Sequence, residues 1–368
     1  MYLIVGAGIS GSVLANLIAE RLNQKVLIID RREHIAGNCF DYLNANENIT
    51  VHKYGPHIFH TNNKEVWDYL SNFTKWHYFY LKSNVMIEGN RVSLPFTLKT
   101  LRELFSFSMA ERIENKLITK YGYGVKVPIL DFQKSKDKDL NFIGKFVYEN
   151  VFKNYTIKQW GLKPEEIDAS VTARVPIYIS NDSRYFQDKY QAIPIKGYTK
   201  LIENILNHKN ITVQLNTDYK TLSQNEIKEF KAIFYTGAID EYFDYQYGEL
   251  PYRSLKFDIM TIDKEYYQKS VVTNYPNDYD FTRITEHKYF LDEKSNKTII
   301  SVEYPQAFSL GKNERYYPIN NDKNDKLYNK YLRESKKIKN VYFFGRLGDY
   351  KYYNMDLAVE RVLKLFKE

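Results

Sequence analysis

The sequence predicts an α/β protein: a parallel sheet alternating with helices, interrupted by a helical insertion and an antiparallel β-sheet. Three observations predict it. A short apolar run, Tyr2–Val5, is followed at once by glycines at 6, 8 and 11 and then by a helical apolar pattern. A second apolar run, Val26–Ile29, ends in Asp30. Two later runs, Ile233–Tyr235 and Val341–Phe344, also end at glycine, at Gly237 and Gly345. Apolar runs of this length fit strands covered on both faces.

The first forty residues carry the most chemistry. Gly6 permits a tight turn, Gly8 lets backbone N–H groups approach a pyrophosphate, and Gly11 lets the helix pack close to the strand. Ile9 and Ser10 then open a helix whose N-terminus faces the phosphates. Val13, Leu14, Leu17 and Ile18 give that helix an apolar face. Asp30 lies 19 residues past Gly11, close to the ~20 expected of a ribose-binding acid. This is a Rossmann-like dinucleotide fingerprint. Spacing leaves NAD and FAD both open. A second loop, Arg31 to Asn38 with Gly37, and the late strand–loop–helix through Arg346 and Met355 favour FAD. Segments at the start, middle and end of the chain then build one discontinuous domain.

Elsewhere, residues 97–170 read as mostly helical, with Leu98, Leu101, Leu104 and Phe105 and then Phe142, Phe146, Val147 and Val151 at helical spacing; Lys134–Asp139 reads as a charged loop. Residues 244–305 favour strands, notably Leu255–Ile259 and Thr298–Val302, with a turn at Asn274–Asp278.

The 368 residues suit two or three domains. Lys plus Arg exceeds Asp plus Glu by 53 to 45, a net +8. The excess is dispersed, which suits an acidic ligand and gives no reason to expect nucleic acid. Tyrosine is abundant, with 34 residues. The one cysteine, Cys39, excludes an internal disulfide and a cysteine-rich zinc site; no metal is expected. No basic region precedes the first apolar run and no stretch approaches the ~20 apolar residues of a membrane span. A cytoplasmic protein without membrane insertion is expected.

A set of longer blocks is more specific than any glycine motif. They are Tyr54–Thr61 (Tyr-Gly-Pro-His-Ile-Phe-His-Thr), Leu94–Phe96, Tyr155–Gly161, Arg184–Phe186 with Tyr190–Pro194, and Gly197–Thr199. Tyr235–Asp240, Tyr252–Leu255, Thr282–His287, Tyr316–Pro318 and Gly345–Arg346 follow in order. Together they span nearly the whole chain, which resembles the UDP-galactopyranose mutase family. The resemblance implies an isomerase that interconverts UDP-galactopyranose and UDP-galactofuranose and needs reduced FAD without consuming electrons. The flavin N5 attacks the anomeric carbon and displaces UDP, the ring opens and recloses through O4, and UDP returns. It also implies a homodimer serving cell-surface polysaccharide synthesis.

The resemblance assigns roles residue by residue. His57, Ile58 and His60 meet the flavin, with the two histidines placed among the catalytic residues. Arg174 and Arg283 hold the UDP pyrophosphate, Arg174 on a mobile loop within Asp168–Pro176; Arg253 is a third candidate. Arginine suits an anion because its planar fork donates bidentately and stays charged. Phe152, Tyr155 and Trp160 line the substrate side. Tyr185, Tyr317 and Tyr352 offer hydroxyls to the pyrophosphate, and Asn274 contacts the sugar. Arg346, Tyr353, Asn354 and Met355 lie on the cofactor, with Gly6, Gly8, Ile9, Ser10, Gly11, Asp30, Arg31 and Asn38. Asn354 stands where the family usually has an acid, so a charge is lost while hydrogen-bond geometry is kept.

The domains expected are a discontinuous FAD-binding domain (1–80, 192–242, 318–368), a helical domain (97–178) and an antiparallel sheet domain (81–96, 179–191, 243–317). Three other functions stay open: a UDP-N-acetylgalactosamine or dual-specific mutase, an FAD oxidoreductase of the amine-oxidase type, and a non-catalytic nucleotide-sugar binder.

Overall fold

The computed structural model describes residues 1–162 and 176–366. The chain divides into two compact units. The first comprises Met1–Phe79, Asp188–Tyr252 and Arg315–Glu368, and the second Tyr80–Gln187 and Arg253–Glu314.

The first unit is built on a five-stranded sheet in the order Ile211–Gln214, β2 (Val26–Ile29), β1 (Tyr2–Val5), Ile233–Tyr235 and Val341–Phe343. Every pairing in it is parallel. The register sets Val5 beside both Ile29 and Tyr235, so the glycine loop, Asp30 and Thr236 leave the sheet at one edge. That is the carboxyl edge, where open α/β sheets bind ligands. Helix α1 (Ile9–Arg21) is buried continuously from Ser10 to Ala19. The sequence pattern marked one apolar face; Ser12, Ala15, Asn16 and Ala19 bury the rest. Asn16 is compensated by donating to the Ile205 carbonyl at 3.1 Å and accepting from the Tyr69 hydroxyl at 2.9 Å. A smaller antiparallel sheet joins Phe59–Thr61, Tyr190–Pro194 and Trp76–Tyr78.

In the second unit, strands lie in the order Tyr252–Ile262, Thr298–Ala307, Arg283–Glu286, Val272–Asn274, Ser83–Ile87 and Asn90–Leu94. They pair antiparallel except Val272–Asn274 with Ser83–Ile87, which is parallel. The helical insertion shares this unit. Its helices Leu98–Leu104, Phe107–Tyr121, Ile129–Gln133, Lys138–Val147 and Asn154–Trp160 surround a core that includes Leu101, Ile113, Phe132, Ile143 and Val147. Two local differences from the sequence reading stand out. The stretch 97–170 contains a short strand, Lys126–Pro128, paired with Pro176–Tyr178. The charged segment Lys134–Asp139 ends inside a helix, because Asp137 caps it by accepting from the N–H groups of Asp139 and Leu140.

Candidate functional site

In the first unit the glycine loop is shaped by close approaches. Gly6 has φ +107°, and a Cβ there would lie 2.0 Å from the Thr236 hydroxyl oxygen. A Cβ on Gly11 would lie 2.0 Å from the Gly6 carbonyl oxygen. Both glycines are therefore required by the fold itself. Gly8 differs: its φ is −76°, and a Cβ there would meet nothing nearer than the Gly37 Cα at 3.8 Å. No side chain caps α1 and its first turn holds no acid, so an open backbone surface with the helix dipole behind it fits an anionic pyrophosphate.

The second loop packs directly on the first. The Ala36 N–H donates to the Ala7 carbonyl at 2.8 Å. Gly37, at φ +55°, lies so close that a Cβ would come 3.0 Å from the Gly8 Cα. Asp30 fastens both loops, accepting from Ala7 N–H at 2.8 Å and Arg32 N–H at 2.9 Å. Arg31 pairs with Glu241 at 3.2 Å, whose other oxygen takes the buried Arg315 at 2.7 Å. Asn38 accepts from Arg32 at 3.0 Å. Gly345 completes the convergence, since a Cβ there would face Ser10 and Thr236 at 3.5–3.8 Å.

The two histidines differ in their partners. His57 Nδ1 lies 2.8 Å from the Gly55 carbonyl, which can only accept, and its N–H donates to His52 Nδ1 at 3.1 Å. His60 Nδ1 lies 2.7 Å from Asp188 Oδ2. Ile58 between them is buried. Arg346 is tied to the carbonyls of Tyr316 and Tyr353 and lies over the rings of Tyr317 and Tyr352, at 5.7 and 5.3 Å. Four of the expected residues, Arg346, Tyr317, Tyr352 and Tyr353, thus form one cluster. The Tyr353 hydroxyl donates to Asp349, 3.2 Å away, and burial pushes the Asp349 carboxyl above its ordinary range. Asn354 is the N-cap of the last helix, Met355–Lys364, and makes no side-chain capping bond.

In the second unit the sheet register brings Asn274, Arg283 and Glu303 into one row. Arg283 Nε and Nη2 both reach Glu303 Oε2 at 2.7 Å. Glu303 is almost fully buried, whereas Arg283 keeps 24% of its side chain exposed. Asn274 commits its amide hydrogens to Ser83 Oγ at 2.8 Å and the Asn84 carbonyl at 3.0 Å. Trp160 and Tyr155 are half-buried on Asn154–Trp160. Lys158 of the same helix reaches the Tyr275 carbonyl at 2.8 Å, and burial lowers its pKa. Phe152 is buried in the helical core. Tyr185 is exposed, with its ring against Phe186. Arg174 and most of its loop lie outside the described residues.

Arg253 is explained by the fold. Its Nε and Nη2 donate to the carbonyls of Gln159 and Lys158 at 2.8 and 3.0 Å. It satisfies the end of a helix that closes at Gly161, φ +66°. Sequence reasoning missed Asp188, Glu303 and Lys158. Each meets its partner across 20 to 128 positions of sequence, and no local motif signals such pairings.

Fold and loop geometry together define a dinucleotide-binding α/β protein, and residues 4–73 match an NAD(P)-binding Rossmann-like domain. Residues 150–352 match the model of the UDP-galactopyranose mutase family. A probable UDP-galactopyranose mutase of Klebsiella pneumoniae is 39% identical, over 100% of this chain and 94% of its own. A dTDP-fucopyranose mutase of Escherichia coli is 36% identical, over 98% of this chain and 96% of its own. Among solved structures, a reduced UDP-galactopyranose mutase superposes with a TM-score of 0.74 at 14% identity, covering 100% of this chain and 94% of that one. The chain belongs to the UDP-galactopyranose mutase family and is an isomerase. Among the described residues no helix is long and apolar enough to cross a membrane.

Proposed function

We propose that the protein interconverts UDP-galactopyranose and UDP-galactofuranose while holding FAD in its reduced form. The observation that carries this reading is 39% identity to a mutase along the full chain, with the open face of Gly8 at the cofactor loop in support. Reduced FAD, when bound at this loop, would supply a nucleophilic nitrogen for covalent catalysis at the anomeric carbon with no net consumption of electrons.

The chain's own residues bind, orient and neutralise. The loop Gly6–Gly11 and the start of α1 take the cofactor pyrophosphate. His57, Ile58, His60, Arg346 and the segment Tyr353–Met355 border the flavin. Arg283 and Arg174 neutralise the UDP phosphates, to which Tyr185, Tyr317 and Tyr352 offer hydroxyls. Tyr155 serves the uridine side and Trp160 the side of the mobile loop, with Phe152 also among the substrate-binding residues. Asn274, its amide hydrogens already engaged, presents Oδ1 to a sugar hydroxyl. A cytoplasmic homodimer belongs to the same reading.

A second nucleotide sugar merits a place because the dTDP-fucopyranose mutase is nearly as similar, at 36% identity. The deciding experiment supplies UDP-galactose, UDP-N-acetylgalactosamine and dTDP-fucose to dithionite-reduced and to oxidised protein, counting electrons against product. Many turnovers of UDP-galactose per reduction support the proposal. One electron pair consumed per product identifies an oxidoreductase instead, and preference for either other sugar reassigns the substrate.

A further inference from the structure

His60 belongs to the strand Phe59–Thr61, and its side chain is 14% exposed. Its Nδ1 faces Asp188 Oδ2 at 2.7 Å. A carboxylate can only accept, so Nδ1 carries a hydrogen, and whenever the ring is neutral its lone pair is on Nε2. The other Asp188 oxygen accepts from Asn62 Nδ2 at 2.5 Å. Asn62 cannot reverse its amide without loss, because its Oδ1 accepts the Lys189 N–H at 2.8 Å. The chain of bonds therefore has a fixed sense, set at one end by a backbone N–H and delivered at the other to one nitrogen of His60.

We propose that Asn62 and Asp188 are positioning residues of the isomerase: they hold His60 in the tautomer whose Nε2 carries no hydrogen and fix the ring plane. His60 then presents that atom to the reaction, where it accepts a hydrogen bond or takes up a proton and returns it. This rests on the proposed reading of His60 as a cofactor-side residue.

Asp188→Asn tests the sense of the chain. Asn62 still offers its N–H to the oxygen of the introduced amide, so the amide NH₂ faces His60 Nδ1. That nitrogen must then accept, and the ring hydrogen moves to Nε2. A carboxylate-to-amide change of this kind inverts a histidine with little change in shape. The expected result is a fall in kcat of roughly 10²–10⁴-fold with KM nearly unchanged. The double variant Asn62→Asp/Asp188→Asn reverses every bond. The introduced carboxylate accepts both the Lys189 N–H and the amide NH₂, which turns the amide oxygen toward His60 Nδ1–H. It should recover at least about tenfold of the lost kcat, corresponding to ~1.4 kcal/mol.

The readout separate from activity is the ¹⁵N imidazole spectrum of flavin-loaded, substrate-free protein, with the His60 signal assigned by its loss in His60→Phe. The expected order is hydrogen on Nδ1 in the parent, on Nε2 in Asp188→Asn, and on Nδ1 again in the double variant. Hydrogen on Nε2 in the parent overturns the proposal even if no variant folds. A tautomer that inverts without change in kcat overturns it as well. A thermal midpoint that falls in Asp188→Asn while tautomer and kcat hold reduces the pair to a structural contact. Full activity of His60→Phe, whatever the spectrum, sinks the underlying reading of His60 instead.

Discussion

Replacing Gly8 with alanine separates the needs of the fold from those of the cofactor. At φ −76° and ψ −178° any residue fits. The added methyl would meet only the Gly37 Cα, at 3.8 Å, an ordinary contact. The apoprotein should therefore be as stable as the parent or more so by about 0.4–1 kcal/mol, because the unfolded chain loses freedom. On the proposed reading the same methyl stands where backbone N–H groups meet the pyrophosphate. Losing one hydrogen bond to a charged oxygen costs about 1.5–3 kcal/mol, which corresponds to a Kd for FAD raised roughly 10- to 150-fold. Gly11→Ala is the control. Its methyl would lie 2.0 Å from the Gly6 carbonyl oxygen, so it should destabilise the apoprotein by at least the ~1–3 kcal/mol of an overpacked core. The assay pairs thermal unfolding of apoprotein with titration by FAD, followed through flavin fluorescence. Full FAD affinity in Gly8→Ala, or equal loss of stability in both variants, would refute the placement of the pyrophosphate.

Arg283→Ala should lower kcat/KM by about 2–4 kcal/mol of transition-state stabilisation and also leave the buried Glu303 carboxylate without its partner. Arg283→Lys keeps that pair and should recover stability, measured by urea unfolding, but only part of kcat/KM. Arg174→Ala should still bind UDP, by calorimetry, yet lose UDP-induced quenching of Trp160 fluorescence; unaltered quenching and turnover would exclude a closing role. Burial lowers the His287 pKa to about 3, so between pH 6.5 and 3 the unfolded chain binds the extra proton and stability falls as pH falls. His287→Leu should remove about 2 kcal/mol of that loss between pH 6.5 and 5, read from urea midpoints across the range.

How far the molecule was legible in its sequence depended on the range of the forces involved. The turn at Gly6, the opening of α1 and the strand ending at Asp30 are set by neighbours within a few residues, and all were readable. The burial of α1 on every side was not, because its second face is made of small residues whose neighbours come from distant parts of the chain. The parallel pairing of Val272–Asn274 with Ser83–Ile87 inside an otherwise antiparallel sheet has no local signature either. The side chains expected at the substrate could be singled out only through long family-like blocks, since among 34 tyrosines periodicity selects none.

Arg253 and Arg283 show what the structure adds. Both are arginines in strands of one sheet, and both were candidates for the same phosphate. What separates them is what each guanidinium already holds. Arg253 is 8% exposed and directs Nε and Nη2 at two helix-end carbonyls, while burial alone lowers its pKa. Moving it toward a ligand would strip those carbonyls of their donors. Arg283 is held by one buried carboxylate oxygen through two of its nitrogens, and a quarter of its side chain remains exposed. Glu303 fixes its direction without enclosing it, which suits a cation that meets an incoming diphosphate with little loss of side-chain freedom on binding. The proposed role of holding UDP through both halves of a displacement and return therefore falls to Arg283, because Arg253 is already spent as a helix cap.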